Sequence, residues 1–226
     1  MLYSFVDSIG QTISISAGPI RSNIFTYYTP SSHTILDRWY KNAFETANNK
    51  SYTGWKGSLK IDYIIKDGFF LSSSVEFSQK GSKGEYSNQV SGGMLTNEIK
   101  SEFQFISLNT LIHPKINITN NTIVYYTLGP EVNLMINRKL TKNPIIDQLK
   151  LESQFNKLLV GLLCGFGIKH NLKKLQLGID LGYDYSIGYL LNHTMVTDSF
   201  YEPDHTSNFK MRLNNFYSTV PVGYRL

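Results

Sequence analysis

Long apolar runs are missing from this chain of 226 residues, and so are most of the sequence motifs that indicate catalysis or cofactor binding. No uninterrupted apolar stretch reaches the roughly 18 residues that a membrane-spanning helix needs. Cys164 is the only cysteine, so no disulfide can form within the chain, and its apolar surroundings predict a small buried hydrophobic side chain. No basic run is longer than Lys173-Lys174, which argues against a nucleic-acid partner despite a formal charge of +5.

Motifs for cofactor chemistry are absent as well. The sequence contains neither a phosphate-binding loop nor a dinucleotide fingerprint, and its histidines and carboxylates lack the spacing of metal ligands. We therefore expect no cofactor, no metal and no catalytic set.

The first ten residues lack the basic start and long apolar run of a complete signal peptide, but Ser8-Ile9-Gly10 has small residues at the positions that a signal peptidase recognises. We expect residues 1–10 to be a leader remnant or disordered, and residues 11–226 to form one domain.

What the chain does have is strict alternation of apolar and polar residues. The clearest case is Leu175–Tyr189, where every second residue is apolar or aromatic and the residues between are small or polar. Successive side chains of a strand point to opposite faces, so this segment predicts a strand with one apolar face. Its length exceeds the usual soluble strand and suffices to cross a membrane at a tilt. Seven further segments repeat the pattern: Gln11–Ile20, Gly54–Ile65, Phe69–Lys80, Ile99–Lys115, Thr122–Ile136, Phe155–His170 and Ser207–Leu226.

The connections between these strands alternate in length. Three are short, and their Gly, Asn and Asp content suits tight hairpin turns: Lys66–Gly68, Asn117–Asn121 and Asn171–Lys173. Four are long and polar: Ser22–Thr53, Gly81–Glu98, Asn137–Ser153 and Leu191–Thr206. This asymmetry is typical of outer-membrane barrels. The sequence predicts an all-β fold, an eight-stranded antiparallel up-and-down transmembrane β-barrel with four long extracellular loops and short periplasmic turns.

Charged residues fall on the inward-facing positions of these strands. An eight-stranded barrel is just wide enough for its side chains to fill it, which argues against a diffusion pore. Charges of both signs in so narrow a space are expected to pair, because an unpaired buried charge is costly. A structural network is our prediction, and a gated or proton-conducting lumen is the alternative. Its members are Lys56, Lys60, Asp62, Glu76, Lys80, Glu131, Asp180 and Asp184.

Four short motifs, in order along the strands, resemble those of the eight-stranded outer-membrane barrel family of the Bacteroidota, the PorT-type, OmpA-like barrels. They are Phe77-Ser78-Gln79-Lys80-Gly81, Tyr126-Thr127-Leu128-Gly129-Pro130, Gly165-Phe166-Gly167 and Tyr183-Asp184-Tyr185-Ser186-Ile187-Gly188. The resemblance runs from about Gln11 to Leu226. It implies integral location in the bacterial outer membrane and contact with its lipid and lipopolysaccharide. It implies no shared active site, and some relatives are accessory parts of secretion or assembly machines, including type IX secretion.

These considerations predict a non-enzymatic subunit of a larger outer-membrane complex, with other outer-membrane or periplasmic proteins as partners. A free-standing structural or adhesion barrel is the first alternative, and a soluble lipocalin-like carrier is another. A small enzyme would need the loop histidines His33, His193 or His205. His113 and His170 are expected to cap strand ends. The first long loop has apolar residues at helical spacing, a possible partner-binding segment: Leu36, Trp39, Tyr40 and Phe44.

Overall fold

The strands of the chain form one closed antiparallel barrel. The computed structural model describes residues 11–29, 50–90, 93–141, 155–199 and 202–226. These residues form nine strands, in which each neighbouring pair is antiparallel and β1 closes the sheet against the last strand. The strands are β1 (Thr12–Thr29), β2 (Lys50–Tyr63), β3 (Phe69–Val90), β4 (Gly93–Asn117), β5 (Thr122–Thr141), β6 (Leu158–Leu172), β7 (Leu175–Ser186), β8 (Leu191–Ser199) and β9 (Glu202–Arg225).

Nine strands fill eight positions around the barrel because β7 and β8 share one position. Both pair with β9: β7 along the half that ends at Arg225, and β8 along the other half. The strand predicted as Leu175–Tyr189 therefore ends earlier, at Ser186. Beyond Ser186 the chain bends, and the backbone N–H groups of Ile187 and Gly188 both donate to the carbonyl of Val160 on β6. The eight-stranded antiparallel barrel predicted from the sequence is confirmed.

Two of the four predicted long loops are mostly strand. β3 and β4 stay paired up to Val90 and Gly93, and β8 and β9 stay paired up to Ser199 and Glu202. The prediction of long loops over Gly81–Glu98 and Leu191–Thr206 is therefore wrong. The backbone ladder holds these strands together without strict alternation of apolar and polar residues, so the sequence pattern does not reveal them. The barrel accordingly has a short-turn end, with Gln11 and Leu226, and a long-hairpin end.

The outward face of the sheet is apolar, as the alternation predicts. Its side chains include Leu59, Leu108 and Val220, each at least half exposed in the isolated barrel. Trp55, Tyr126 and Tyr224 add aromatic rings to this face. Cys164 also lies there, exposed, so the prediction that it is buried is wrong. Its position follows from β6 itself, where Leu163 and Gly165 on either side occupy inward positions.

Among the described residues, no helix is long and apolar enough to cross a membrane.

The register of β4 against its neighbours is well defined. Val75 lies opposite Leu108 on the β3 side, and Leu108 lies opposite Val132 on the β5 side. The ladder between β4 and β5 shifts once, beside Gln104 and Phe105, so a β-bulge lies near the long-hairpin end.

Candidate functional site

The interior of the barrel has two layers of different chemistry. The apolar layer lies toward the long-hairpin end and consists of Ile24, Phe103, Phe105, Met135, Phe155, Leu159, Leu190, Leu191, Met211 and Leu213. The charged layer lies between it and the short-turn end and consists of Lys56, Lys60, Asp62, Glu76, Lys80, Glu131, Lys169, Asp180 and Asp184. A smaller apolar group, Ile20, Leu111, Leu163 and Tyr217, packs beside the charges.

Lys80 and Asp184 form a fully enclosed ion pair of the charged layer. The Lys80 Nζ lies 2.5 Å from Oδ2 of Asp184, and both side chains are at most 3% exposed. Asn133 accepts a further hydrogen bond from Lys80, and Asn215 donates one to Asp184 at 2.8 Å. Lys80 also lies 5.4 Å from the centre of the Phe105 ring. This pair therefore forms the boundary between the charged and the apolar layers.

Lys56 and Glu76 form a second buried pair, with 2.7 Å between Nζ and Oε2. The Lys56 ammonium also lies 3.7 Å from the centre of the Tyr217 ring, within the range of a cation–π contact. Glu131 is 1% exposed, and its carboxylate lies with that of Asp184 over Gly161, where a Cβ would meet both. The lysines on β2 and β3 thus face acids contributed by β3, β5 and β7.

The part of the charged layer nearest the short turns contains a lysine that the sequence reasoning missed. Lys169 is buried on β6 and donates to Asp62 at 2.6 Å. Lys60 lies 3.5 Å from Asp180, whose other oxygen accepts a hydrogen bond from Tyr125. The parity that places Gly161, Gly165 and Gly167 inside β6 also places Lys169 inside, and this signal could have identified it.

His113 lies inside the barrel, so the prediction that it caps a strand end is wrong. Its side chain is 1% exposed and stacks on Phe70 with 4.3 Å between ring centres. Its two ring nitrogens are hydrogen-bonded to Ser72 at 2.7 Å and to Thr127 at 3.0 Å. Both nitrogens have hydroxyl partners, which is the environment of a structural histidine. His170, by contrast, is exposed beside the short turn and contacts Thr122 at 2.9 Å.

Two inward-facing glycines make room for buried tyrosines. A Cβ on Gly167 would lie 2.4 Å from Cζ of Tyr125, and a Cβ on Gly182 would lie 2.2 Å from the Tyr217 ring. Only glycine permits rings this close to the strand. The two tyrosines therefore lie across the barrel and fill space that the lysine–acid pairs leave open.

The short-turn end contains a cavity of about 470 Å³, which we call the mouth cavity. Lys169 and Asp62 lie at its inner end, and Lys115 and Arg225 line it with the amides of Asn171 and Gln176. A second cavity, beside Lys56, Lys60 and Glu76, measures only about 20 Å³. Of these two cavities, the one at the short-turn end is by far the larger.

A polar cluster lies at the long-hairpin end, beyond the apolar layer. Glu102 accepts a hydrogen bond from Tyr52 at 3.0 Å and pairs with Lys100. Partial burial acts to raise the pKa of Glu102, but the bonds from Lys100 and Tyr52 and the nearby positive charges outweigh it and hold the pKa below its usual range. Burial, followed by the bond to Glu102, raises the pKa of Tyr52 to about 12.

Several predicted functional residues fall outside what the structure describes. The possible partner-binding segment with Leu36, Trp39, Tyr40 and Phe44 lies in residues 30–49, as does His33. The backbones of His193 and His205 belong to β8 and β9, where His205 pairs with Thr197. Within the described residues, no three His, Cys, Asp or Glu side chains are grouped as a metal site requires.

The chain is similar to known outer-membrane proteins. A family model described as outer membrane protein beta-barrel domain matches residues 11–192. The structure of Ail from Yersinia pestis is 15% identical over 92% of this chain and 99% of that one, with a TM-score of 0.35. Neisserial surface protein A is 11% identical over 90% and 95%, with a TM-score of 0.42. The protease OmpT from Escherichia coli is 8% identical over 97% of both chains, with a TM-score of 0.41. No curated protein matches the sequence.

Proposed function

We propose that this chain, which belongs to the outer membrane protein beta-barrel domain family, is a non-enzymatic subunit of a larger outer-membrane complex. Its role there would be accessory or structural, in secretion, nutrient uptake or barrel assembly. The supporting observation is the filled interior. The apolar layer and the ion pairs lie across the barrel, and the cavity beside Lys56, Lys60 and Glu76 measures only about 20 Å³.

A filled barrel transmits no solute, so its function depends on its surfaces. The long-hairpin end offers one such surface. The β3–β4 and β8–β9 hairpins continue their backbone pairing well beyond the apolar layer, which makes them rigid extensions of the wall. In outer-membrane barrels this end faces outside the cell. Rigid hairpins lose little conformational entropy on binding, which favours docking of a protein partner.

The outward face suits contact with lipid, a second class of partner. Arg212 on β9 lies 5.2 Å from the ring centre of Tyr185 and 5.0 Å from that of Tyr189, and it donates to the Tyr185 hydroxyl. Lys210 lies 5.2 Å from the Tyr189 ring. Cations among aromatic rings at the edge of an apolar band suit the phosphate level of a membrane leaflet. We propose that lipopolysaccharide contacts the barrel here.

The assignment to the PorT-type barrels of the Bacteroidota, with a role in type IX secretion, belongs to this proposal as well. Its support is the order of the four strand motifs. The structure gives Gly167 a physical role, because this glycine leaves room for Tyr125. The motif Tyr183–Gly188 includes Asp184, which pairs with Lys80 of the first motif. Two motifs thus meet in one ion pair.

The decisive experiment is mild-detergent purification from native membranes, followed by mass spectrometry, for the unaltered barrel and a variant with a trimmed hairpin. Gly84 and Ile99 are paired, so an Asn-Gly turn can replace residues 85–98 and close the hairpin. The matched control replaces residues 197–205 between the paired Val196 and Thr206. We expect one outer-membrane protein to copurify in stoichiometric amount and to be lost with one trimmed hairpin only. Recovery of the barrel alone in every case would contradict the proposal.

A further inference from the structure

The mouth cavity at the short-turn end contains binding chemistry that the filled interior does not explain. Its volume of about 470 Å³ lies within the range of roughly 300–1,000 Å³ that is typical of ligand sites. It opens at the end that carries the short turns, which in outer-membrane barrels faces the periplasm. Its inner end is the buried Lys169–Asp62 pair. An occupant must therefore enter and leave by the same mouth.

The charges of this cavity are mostly positive. Lys115, Lys169 and Arg225 line it, against Asp62 as the only acid in its lining. Lys169 is paired with that acid, and Asp67 on the neighbouring turn offsets part of the charge of Lys115, so the charge left for an occupant is a net positive one from Lys115 and Arg225. Backbone bonds hold both residues in place: Lys115 N–H donates to the carbonyl of Gly68, and Arg225 N–H to that of Lys174. An anionic group suits this part of the cavity.

The inner end of the cavity offers a different group, an acceptor. Asp62 is 2% exposed, and its Oδ2 accepts a hydrogen bond from Lys169. Its Oδ1 has no hydrogen-bond partner among the described residues. A buried acceptor without a partner is costly, and an N–H donor on an occupant would satisfy it. The amides of Asn171 and Gln176 are hydrogen-bonded to each other at 2.8 Å on the same wall.

We propose that the mouth cavity binds a short acidic peptide segment from the periplasm. The peptide supplies N–H donors for Asp62, a carboxylate for Lys115 and Arg225, and apolar atoms for Phe70 and Ile123, which also line the cavity. A free carboxylate ion shares the anionic chemistry but lacks the N–H groups. The inference stands on the residues of the cavity and does not depend on the role of the barrel in a complex.

The test is calorimetric titration of the folded barrel in zwitterionic detergent micelles with three probes: triglutamate, citrate and trilysine. We expect triglutamate to bind with one site per barrel, to weaken with added salt, and to bind more tightly than citrate. Trilysine is expected not to bind. Citrate binding as tightly as triglutamate would overturn the peptide assignment, and equal binding of trilysine, or no binding of triglutamate at millimolar concentration, would overturn the site.

Single substitutions locate the binding. Arg225→Gln and Lys115→Gln each remove one cation from the cavity. Each should weaken triglutamate binding about three- to tenfold, which is typical of the loss of one partly exposed charge contact. The matched control is Lys66→Gln, an exposed lysine at the same end that is not part of the cavity lining. All three variants leave the charged layer intact and should fold. Equal weakening by Lys66→Gln would show that net charge, rather than the cavity, attracts the peptide.

Discussion

The apolar and the charged layers of the interior fill the same barrel by different means. In the apolar layer, Phe103 and Leu159 are buried against other hydrocarbon side chains, and each can be exchanged for another hydrophobe of similar volume. In the charged layer, every lysine needs a particular acid on another strand, as Lys80 on β3 needs Asp184 on β7. The apolar layer therefore provides stability that tolerates change. The charged layer joins specific strands, and its loss is costly whenever one partner remains.

The largest effect is expected from Lys80→Met. The substitution leaves Asp184 charged and buried without its cation, which typically costs about 3–5 kcal/mol. The measurement is urea unfolding of the barrel in micelles. The double variant Lys80→Met/Asp184→Leu should recover much of the loss, because neither member of this pair is then left buried without its partner.

The control for this prediction is the exposed pair of Lys50 and Glu85 at the long-hairpin end, where both side chains are about half exposed. Lys50→Met should cost less than about 1 kcal/mol, since solvent screens the pair. Equal losses for the two lysine variants would mean that burial of the charges does not set the cost.

A loss of similar size is expected from Leu159→Ala in the apolar layer. Leu159 is 1% exposed and packed on all sides, so its removal leaves a cavity and should cost about 2–5 kcal/mol. The matched control is its neighbour Leu158, which faces outward and is 59% exposed in the isolated barrel. Lipid or detergent chains can refill the space left by Leu158→Ala, so its cost should be clearly smaller. If Leu158→Ala costs as much, the assignment of inside and outside on β6 is wrong.

An intermediate loss of stability is expected at Gly182, which lies against the ring of Tyr217 beside the charged layer. Gly182→Ala forces a methyl group into the ring of Tyr217, which overpacks the interior at a cost of about 1–3 kcal/mol. The double variant Gly182→Ala/Tyr217→Leu should regain part of this loss. Gly57→Ala is the control, because a Cβ there makes only ordinary contacts, the nearest at 3.5 Å. A neutral Gly182→Ala would show that the ring of Tyr217 moves aside freely.

Much of this contrast could be predicted from the sequence, because alternation assigns each residue of a strand to one face. Parity alone places Lys56 and Asp184 inside, where the structure finds both buried. Parity does not say which strands meet across the barrel, so the pairing of Lys80 with Asp184 required the register and the strand order. His113 shares the inward parity of Leu111 on β4, but its partners Phe70, Ser72 and Thr127 come from neighbouring strands, so identifying them required the register. The hairpin strands beyond Gly81 could not be predicted because their backbone ladder continues through a segment without alternating apolar residues.

The smallest effect is expected outside both layers, at Glu102. Its pKa in the folded barrel is lower than usual, so the stability it contributes is present above the unfolded pKa, about 4.3, and is lost as the pH falls through the lowered folded value. Glu102→Gln should therefore cost at most about 0.5–1 kcal/mol at neutral pH and nothing in strong acid. The measurement is urea unfolding of both proteins at a series of pH values. The neighbouring Glu98, whose side chain is 65% exposed and 3.7 Å from Lys83, provides the control Glu98→Gln, with a smaller loss at neutral pH. A Glu102→Gln loss that persists unchanged at low pH would show that packing of the side chain, rather than its charge, carries the contribution.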